Sequence, residues 1–216
     1  MSKKQTCSLV FFVLFLMLIV LLKTVNVEPV GPENTSIGLS GFNVWFHELT
    51  GFNEGLYKFT KVFLYLFLLI PVINAFLILL QYIKKKSISK IDKELVIVFV
   101  MYVVVVFLYV LFEKIIINYR PLILPGDLHP EASFPSTHAL LATSVIGGVI
   151  LLLRHYIKKP GAKRIATISC TVLIVVVVVG RLICGVHWFT DILGGVLISL
   201  ALLFITSDFL DRFSID

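Results

Sequence analysis

The chain has 216 residues, of which 58% are hydrophobic and 15% charged, and its mean hydropathy is +1.00. A soluble domain of this length carries far more charge, so composition alone places the protein in the membrane class. The formal charge of +6 is accounted for by basic loops between apolar runs, and no nucleic-acid partner is needed to explain it.

A bilayer core of about 30 Å takes about 20 mostly apolar helical residues. Six stretches qualify: Thr6–Leu22, Tyr57–Ile83, Leu95–Asn118, His138–Ile157, Ile165–Ile183 and Trp188–Ser207. The β-branched run from Val172 to Val179 has strand propensity, but an open strand would leave backbone groups unpaired in lipid, so a helix is expected. The fold expected is therefore all-α: one domain over 1–216, six transmembrane helices in one bundle.

Lys3 and Lys4 before the first apolar run resemble a signal peptide, but no small-x-small cleavage site follows Leu22, which points to an uncleaved first helix. The loop Lys23–Leu56 is rich in Gly, Pro, Asn and Glu. Within it, Phe42–Leu49 has the aromatic and polar mix of a short interfacial helix, which could cap the bundle or simply anchor it. Asn34-Thr35-Ser36 fits a glycosylation acceptor, a motif frequent by chance. Lysine and arginine placement sets orientation. With the N-terminus inside, the cytoplasmic segments hold Lys3, Lys4, Lys84, Lys85, Lys86, Lys90, Lys93, Arg154, Lys158, Lys159, Lys163, Arg164 and Arg212, thirteen of the nineteen basic residues. Both termini are then cytoplasmic. Gly147-Gly148 and Gly194-Gly195 are expected to allow close helix packing. Cys7, Cys170 and Cys184 have no metal-type spacing and are too few for a disulfide framework, so they read as inert thiols.

Two polar stretches stand out at the end of the bundle that this topology places outside. The first runs from Tyr119 to His138 and the second from Arg181 to His187, followed by Asp191. Charges at membrane depth are costly, about 2.5–3.5 kcal/mol each at a helix centre, so Glu113, Lys114, Arg120, Arg181 and Asp191 ask for a reason. Snorkelling is sufficient for Lys114. Arg120 and Arg181 lie among His, Ser and Gly as a phosphate pocket would, and the planar guanidinium suits tetrahedral oxyanions. Ser136 is placed as an N-cap, at a helix start whose free N–H groups favour an anion. Capping alone leaves His138 unexplained. His187 and Asp191 are four apart, a spacing that puts them on one helical face, where a carboxylate on one imidazole nitrogen makes the other a better nucleophile.

Together these stretches resemble the type 2 phosphatidic acid phosphatase (PAP2) superfamily of membrane lipid phosphatases, over roughly Leu95 to Ser207. The family motifs Lys-x6-Arg-Pro, Pro-Ser-Gly-His and Ser-Arg-x5-His-x3-Asp appear here as Glu113-x6-Arg120-Pro121, Pro135-Ser136-Thr137-His138 and Gly180-Arg181-x5-His187-x3-Asp191. The resemblance implies hydrolysis of a lipid phosphate or diphosphate through a phosphohistidine, without a metal or other cofactor. It implies His187 as nucleophile, Asp191 as its orienting group and His138 as general acid. Arg120, Arg181, Ser136 and Thr137 would hold the phosphoryl oxygens. Three positions depart from the family. Glu113 stands at the first-motif lysine, with Lys114 displaced by one residue, a rotation of about 100° on a helix that a long lysine near a helix end could partly offset, leaving Lys114 a candidate phosphate ligand. Thr137 replaces glycine and Gly180 replaces serine. Candidate substrates are phosphatidic acid, phosphatidylglycerol phosphate and undecaprenyl diphosphate, and an outward-facing site suits the polyprenyl carrier best. A lipid phosphotransferase with the same intermediate and a non-catalytic lipid-binding protein are the alternatives.

Overall fold

The computed structural model describes residues 1–124 and 126–213. It contains six helices long and apolar enough to cross a membrane, and the apolar runs of the sequence locate all of them. In chain order, α1 spans Lys3–Thr24, a short α2 spans Ser40–Thr50, α3 spans Glu54–Lys85 and α4 spans Lys93–Lys114. Then α5 covers Thr137–Tyr156 with a π-type turn at Ala142–Ile146, α6 covers Pro160–Ile183 and α7 covers Phe189–Phe213.

Helix ends differ from the hydropathy boundaries for local reasons. Ser2 and Gln5 form a reciprocal capping box that starts α1 ahead of its apolar run. Pro160 opens α6, a position where its missing N–H is no loss. Helix α4 stops at Lys114 because Ile115 is extended, so Asn118 lies in the loop rather than in the helix. Helix α7 runs past Ser207, with Asp208 and Arg212 paired across one turn at 2.9 Å. The valine-rich run is helical, as lipid requires.

Helices α5 and α7 form the axis of the bundle: 61% and 56% of their apolar stretches are buried, against 11% for α3. Phe15, Phe67, Val98, Tyr102, Phe134, Val145, Val177 and Ile198 share the core around them. Where α7 crosses the start of α5 the approach is close. A Cβ on Gly195 would stand 2.9 Å from the Ser136 carbonyl oxygen and 3.0 Å from the Leu140 nitrogen, so even alanine there would push on the segment carrying Ser136 and His138. Gly147 meets Leu203, and Gly148 meets Tyr102, in keeping with the packing expected of both pairs.

Helix α1 lies along α7. Ser8 Oγ donates to the Ala201 carbonyl at 2.8 Å, Lys4 pairs with Asp211 at 2.6 Å, and Ser2 bonds Asp208. The start of α1 and the end of α7 therefore meet at one end of the bundle, as an even number of spans demands. The opposite end gathers the starts of α3, α5 and α7 and the ends of α1, α4 and α6. Both polar stretches sit there.

Candidate active site

The loop between α4 and α5 is held by backbone pairing. Arg120 N–H donates to the Glu131 carbonyl at 3.0 Å and Ser133 N–H to the Asn118 carbonyl at 2.9 Å. This brings Arg120 and Ser133 to the same place. The loop between α6 and α7 turns sharply at Gly185, whose φ is +71°. A Cβ there would also collide with the Gly51 carbonyl, so glycine is required on both counts. Helix α2 clamps this second loop. His47 Nε2 donates to the Gly185 carbonyl at 2.9 Å, and Asn43, fully buried, bonds Thr190 at 3.0 Å. Phe42 and Phe46 pack on Phe189, while Trp45 stays exposed. The short helix expected from the sequence is thus a brace for the site loop, with an aromatic face left free.

His187 precedes α7, so the one-turn spacing to Asp191 is not what joins them. Asp191 is the third residue of α7, and its Oδ2 reaches back to accept from Trp188 N–H at 2.9 Å, as an N3 carboxylate does at a helix start. His187 Nδ1 lies 3.7 Å from Asp191 Oδ2, too far for a direct hydrogen bond. Ser133 bridges the gap: its Oγ is 3.1 Å from His187 Nδ1 and donates to Asp191 Oδ2. Direct His–Asp bonding, expected from the sequence, is corrected to a relay through a serine that lies outside the motif residues. A lone serine one residue before Phe134 carries no signal in spacing or composition that would have found it.

On the other side of the ring, His187 Nε2 is 3.4 Å from Arg120 Nη1 and 3.4 Å from Arg181 Nη2. Both arginine nitrogens are donors, so Nε2 presents its lone pair to them and Nδ1 carries the proton. That proton goes to Ser133 Oγ, whose own proton goes to Asp191. The tautomer is the one a nucleophilic Nε2 needs. Burial first, then the charges of Arg120 and Arg181, hold this imidazole well below the usual histidine range, so it stays neutral.

A stability prediction follows from that shift. In the unfolded chain His187 takes up a proton below about pH 6.5, and the folded chain does not, so stability falls as pH drops through that value. His187→Gln removes this difference. Its melting temperature in detergent should decline less than that of wild type between about pH 7 and about pH 5, and parallel declines would contradict the assignment.

The remaining residues fall into place around this centre. Arg181 is 1% exposed and is held by Thr60 Oγ1 at 3.3 Å and by the Tyr57 ring, 5.4 Å from its Cζ. Arg120 Nε pairs with Glu131 at 3.2 Å, and not with Glu113. His138, in the first turn of α5, is buried, and its Nε2 has no hydrogen-bond partner among the described residues. Arg181, Arg120 and Lys61 are the cations near enough to bear on it. Ser136 occupies the N-cap position but does not cap; its buried hydroxyl has no partner among the described residues. Its N–H donates to the Asp191 carbonyl at 2.9 Å.

Thr137 lines a narrow crevice with Glu113, Ser133 and Pro135. Lys114 is exposed and makes none of these contacts. At Gly180 a Cβ would stand 2.9 Å from Thr60 Cγ2, so the hydroxyl near Arg181 comes from α3 instead of from position 180.

Removing the relay has a defined expected outcome. Ser133→Ala takes the hydroxyl acceptor from the imidazole proton, about 1–3 kcal/mol, while Asp191 Oδ2 keeps the Trp188 N–H. It should lower kcat by about ten- to a hundredfold with little change in KM, read from initial rates. An unchanged kcat would remove Ser133 from the machinery.

Three comparisons bear on this arrangement. The chain matches the PAP2 superfamily over residues 94–214. Among curated proteins no match is found. Its structure is similar to the crystal structure of a transmembrane PAP2-type phosphatidylglycerolphosphate phosphatase from Bacillus subtilis. The TM-score is 0.68 at 20% identity, covering 95% of this chain and 96% of the other.

Proposed function

The chain belongs to the PAP2 superfamily, matched over more than half its length, and on that premise we propose that it is an integral membrane phosphatase cleaving a lipid phosphate or diphosphate through a phosphohistidine. One observation carries the proposal: a neutral, buried imidazole whose Nε2 faces two guanidinium groups while its Nδ1 is fixed by Ser133 and Asp191. Phosphoryl transfer is mostly positioning and charge stabilisation, and this geometry provides both at one nitrogen.

In the first step Nε2 of His187 attacks phosphorus. The P–O bond to the lipid breaks, and the leaving oxygen takes a proton from His138. Arg120, Arg181 and the Ser136 hydroxyl hold the other phosphoryl oxygens. The substrate's negative charge beside His138 favours the charged form that donates this proton. In the second step water attacks phosphorus, His138 accepts its proton, the N–P bond breaks and inorganic phosphate leaves. His187 returns to its neutral tautomer. No step calls on a metal ion.

The basic-residue distribution supports an extracytoplasmic site with both termini cytoplasmic. The test is phosphate release by detergent-purified protein in EDTA, from undecaprenyl diphosphate, phosphatidic acid and phosphatidylglycerol phosphate. Release from at least one lipid is expected. No release from any of them by folded protein would overturn the proposal in favour of a transferase or a lipid-binding role.

A further inference from the structure

Helix α3 brings a cation to the site that none of the three motif segments contains. Lys61 is the eighth residue of α3, about 10 Å along the helix from its start, and it has no carboxylate partner among the described residues. Its neighbour Lys58 is paired, with Glu54 at 2.8 Å. Lys61 is exposed, so its ammonium is open to an anion brought by a ligand. Its Nζ lies 5.6 Å from the centroid of the Tyr57 ring. The same ring carries the Arg181 guanidinium at 5.4 Å, and Arg181 reaches His187 Nε2 at 3.4 Å. Lys61 also bears on His138, the group assigned to the leaving oxygen. The Tyr57 ring is therefore shared by two cations: Arg181, which reaches His187, and Lys61, one helical turn further along α3.

An alcohol leaving group is neutral after protonation and gains nothing from a cation beside it. A phosphate leaving group remains charged and does. We propose that Lys61 is a substrate-binding residue that holds the second, lipid-linked phosphoryl group of a diphosphate, making the site selective for lipid diphosphates over monophosphates of the same lipid. This rests on the phosphatase reading above.

The experiment compares a polyprenyl diphosphate with the polyprenyl monophosphate of the same chain. Wild type, Lys61→Gln, Lys61→Arg and His187→Gln are each assayed for phosphate release in detergent. Wild type should prefer the diphosphate. Lys61→Gln should lower kcat/KM on the diphosphate by on the order of tenfold or more, the effect of losing one charged contact, and on the monophosphate by clearly less, since whatever Lys61 contributes through His138 is common to both lipids. Lys61→Arg should keep the preference. Equal losses on both lipids, as misfolding would give, or no loss on either, would overturn the proposal. A wild type inactive on both, or one no more active than His187→Gln, would instead sink the phosphatase reading and this assignment with it.

Discussion

His187→Gln should reduce phosphate release by at least about 10³-fold on every lipid the wild type cleaves, because loss of a nucleophile is not compensated by the groups around it. The glutamine amide fills much of the imidazole's volume, and its oxygen can accept from Arg120 and Arg181, so the fold should persist. What it cannot do is form and break a bond to phosphorus. The kinetic check is kcat/KM beside a thermal melt of the same preparation. Loss of activity with a retained melt assigns the chemistry to this ring. A variant within about tenfold of wild type would mean that the attack comes from elsewhere.

Arg181→Met carries the second large effect, and its sign differs between activity and stability. Arg181 is among the largest fully buried side chains, touches Thr60, Tyr57 and His187, and has no carboxylate partner among the described residues. A buried cation without a counter-charge destabilises the fold, whereas a transferring phosphoryl group would supply that charge. The methionine variant should lose on the order of 10²- to 10³-fold in kcat, the usual effect of removing one transition-state donor. It should nevertheless melt no lower than wild type, since an apolar side chain of similar length replaces the unpaired charge. Vanadate or inorganic phosphate should raise the melting temperature of wild type and leave that of Arg181→Met unmoved. A variant that melts lower and still responds to vanadate would show that Arg181 is a packing residue.

Much of this was legible in the sequence because the bilayer constrains it. Six apolar runs located six spanning helices, since a backbone in lipid has few other options. The motif spacing pointed to Arg120, His138, Arg181, His187 and Asp191, and the loops place all five at one end of the bundle. What spacing could not give were contacts made by loop pairing and by helices far off in sequence. Ser133 reaches His187 only because its loop pairs with Asn118. Thr60, Tyr57 and Lys61 belong to α3, more than a hundred residues before Arg181, with nothing in α3 itself to mark them. Ser136 was read as a cap and does not cap, because its N–H is drawn to the Asp191 carbonyl and the segment is fixed by α7. Glu113 and Arg120 are not joined by one helix, since α4 ends at Lys114. Glu131 takes the arginine instead.

The central claim is that His187 Nε2 becomes phosphorylated during turnover. The most direct measurement is a rapid quench into alkali during steady-state cleavage of the preferred lipid, followed by peptide mass spectrometry, since the N–P bond survives alkali and not acid. A phosphoryl group on the peptide containing His187, absent from His187→Gln, is the predicted result. Turnover at the wild-type rate with the phosphoryl group found on another residue would contradict it.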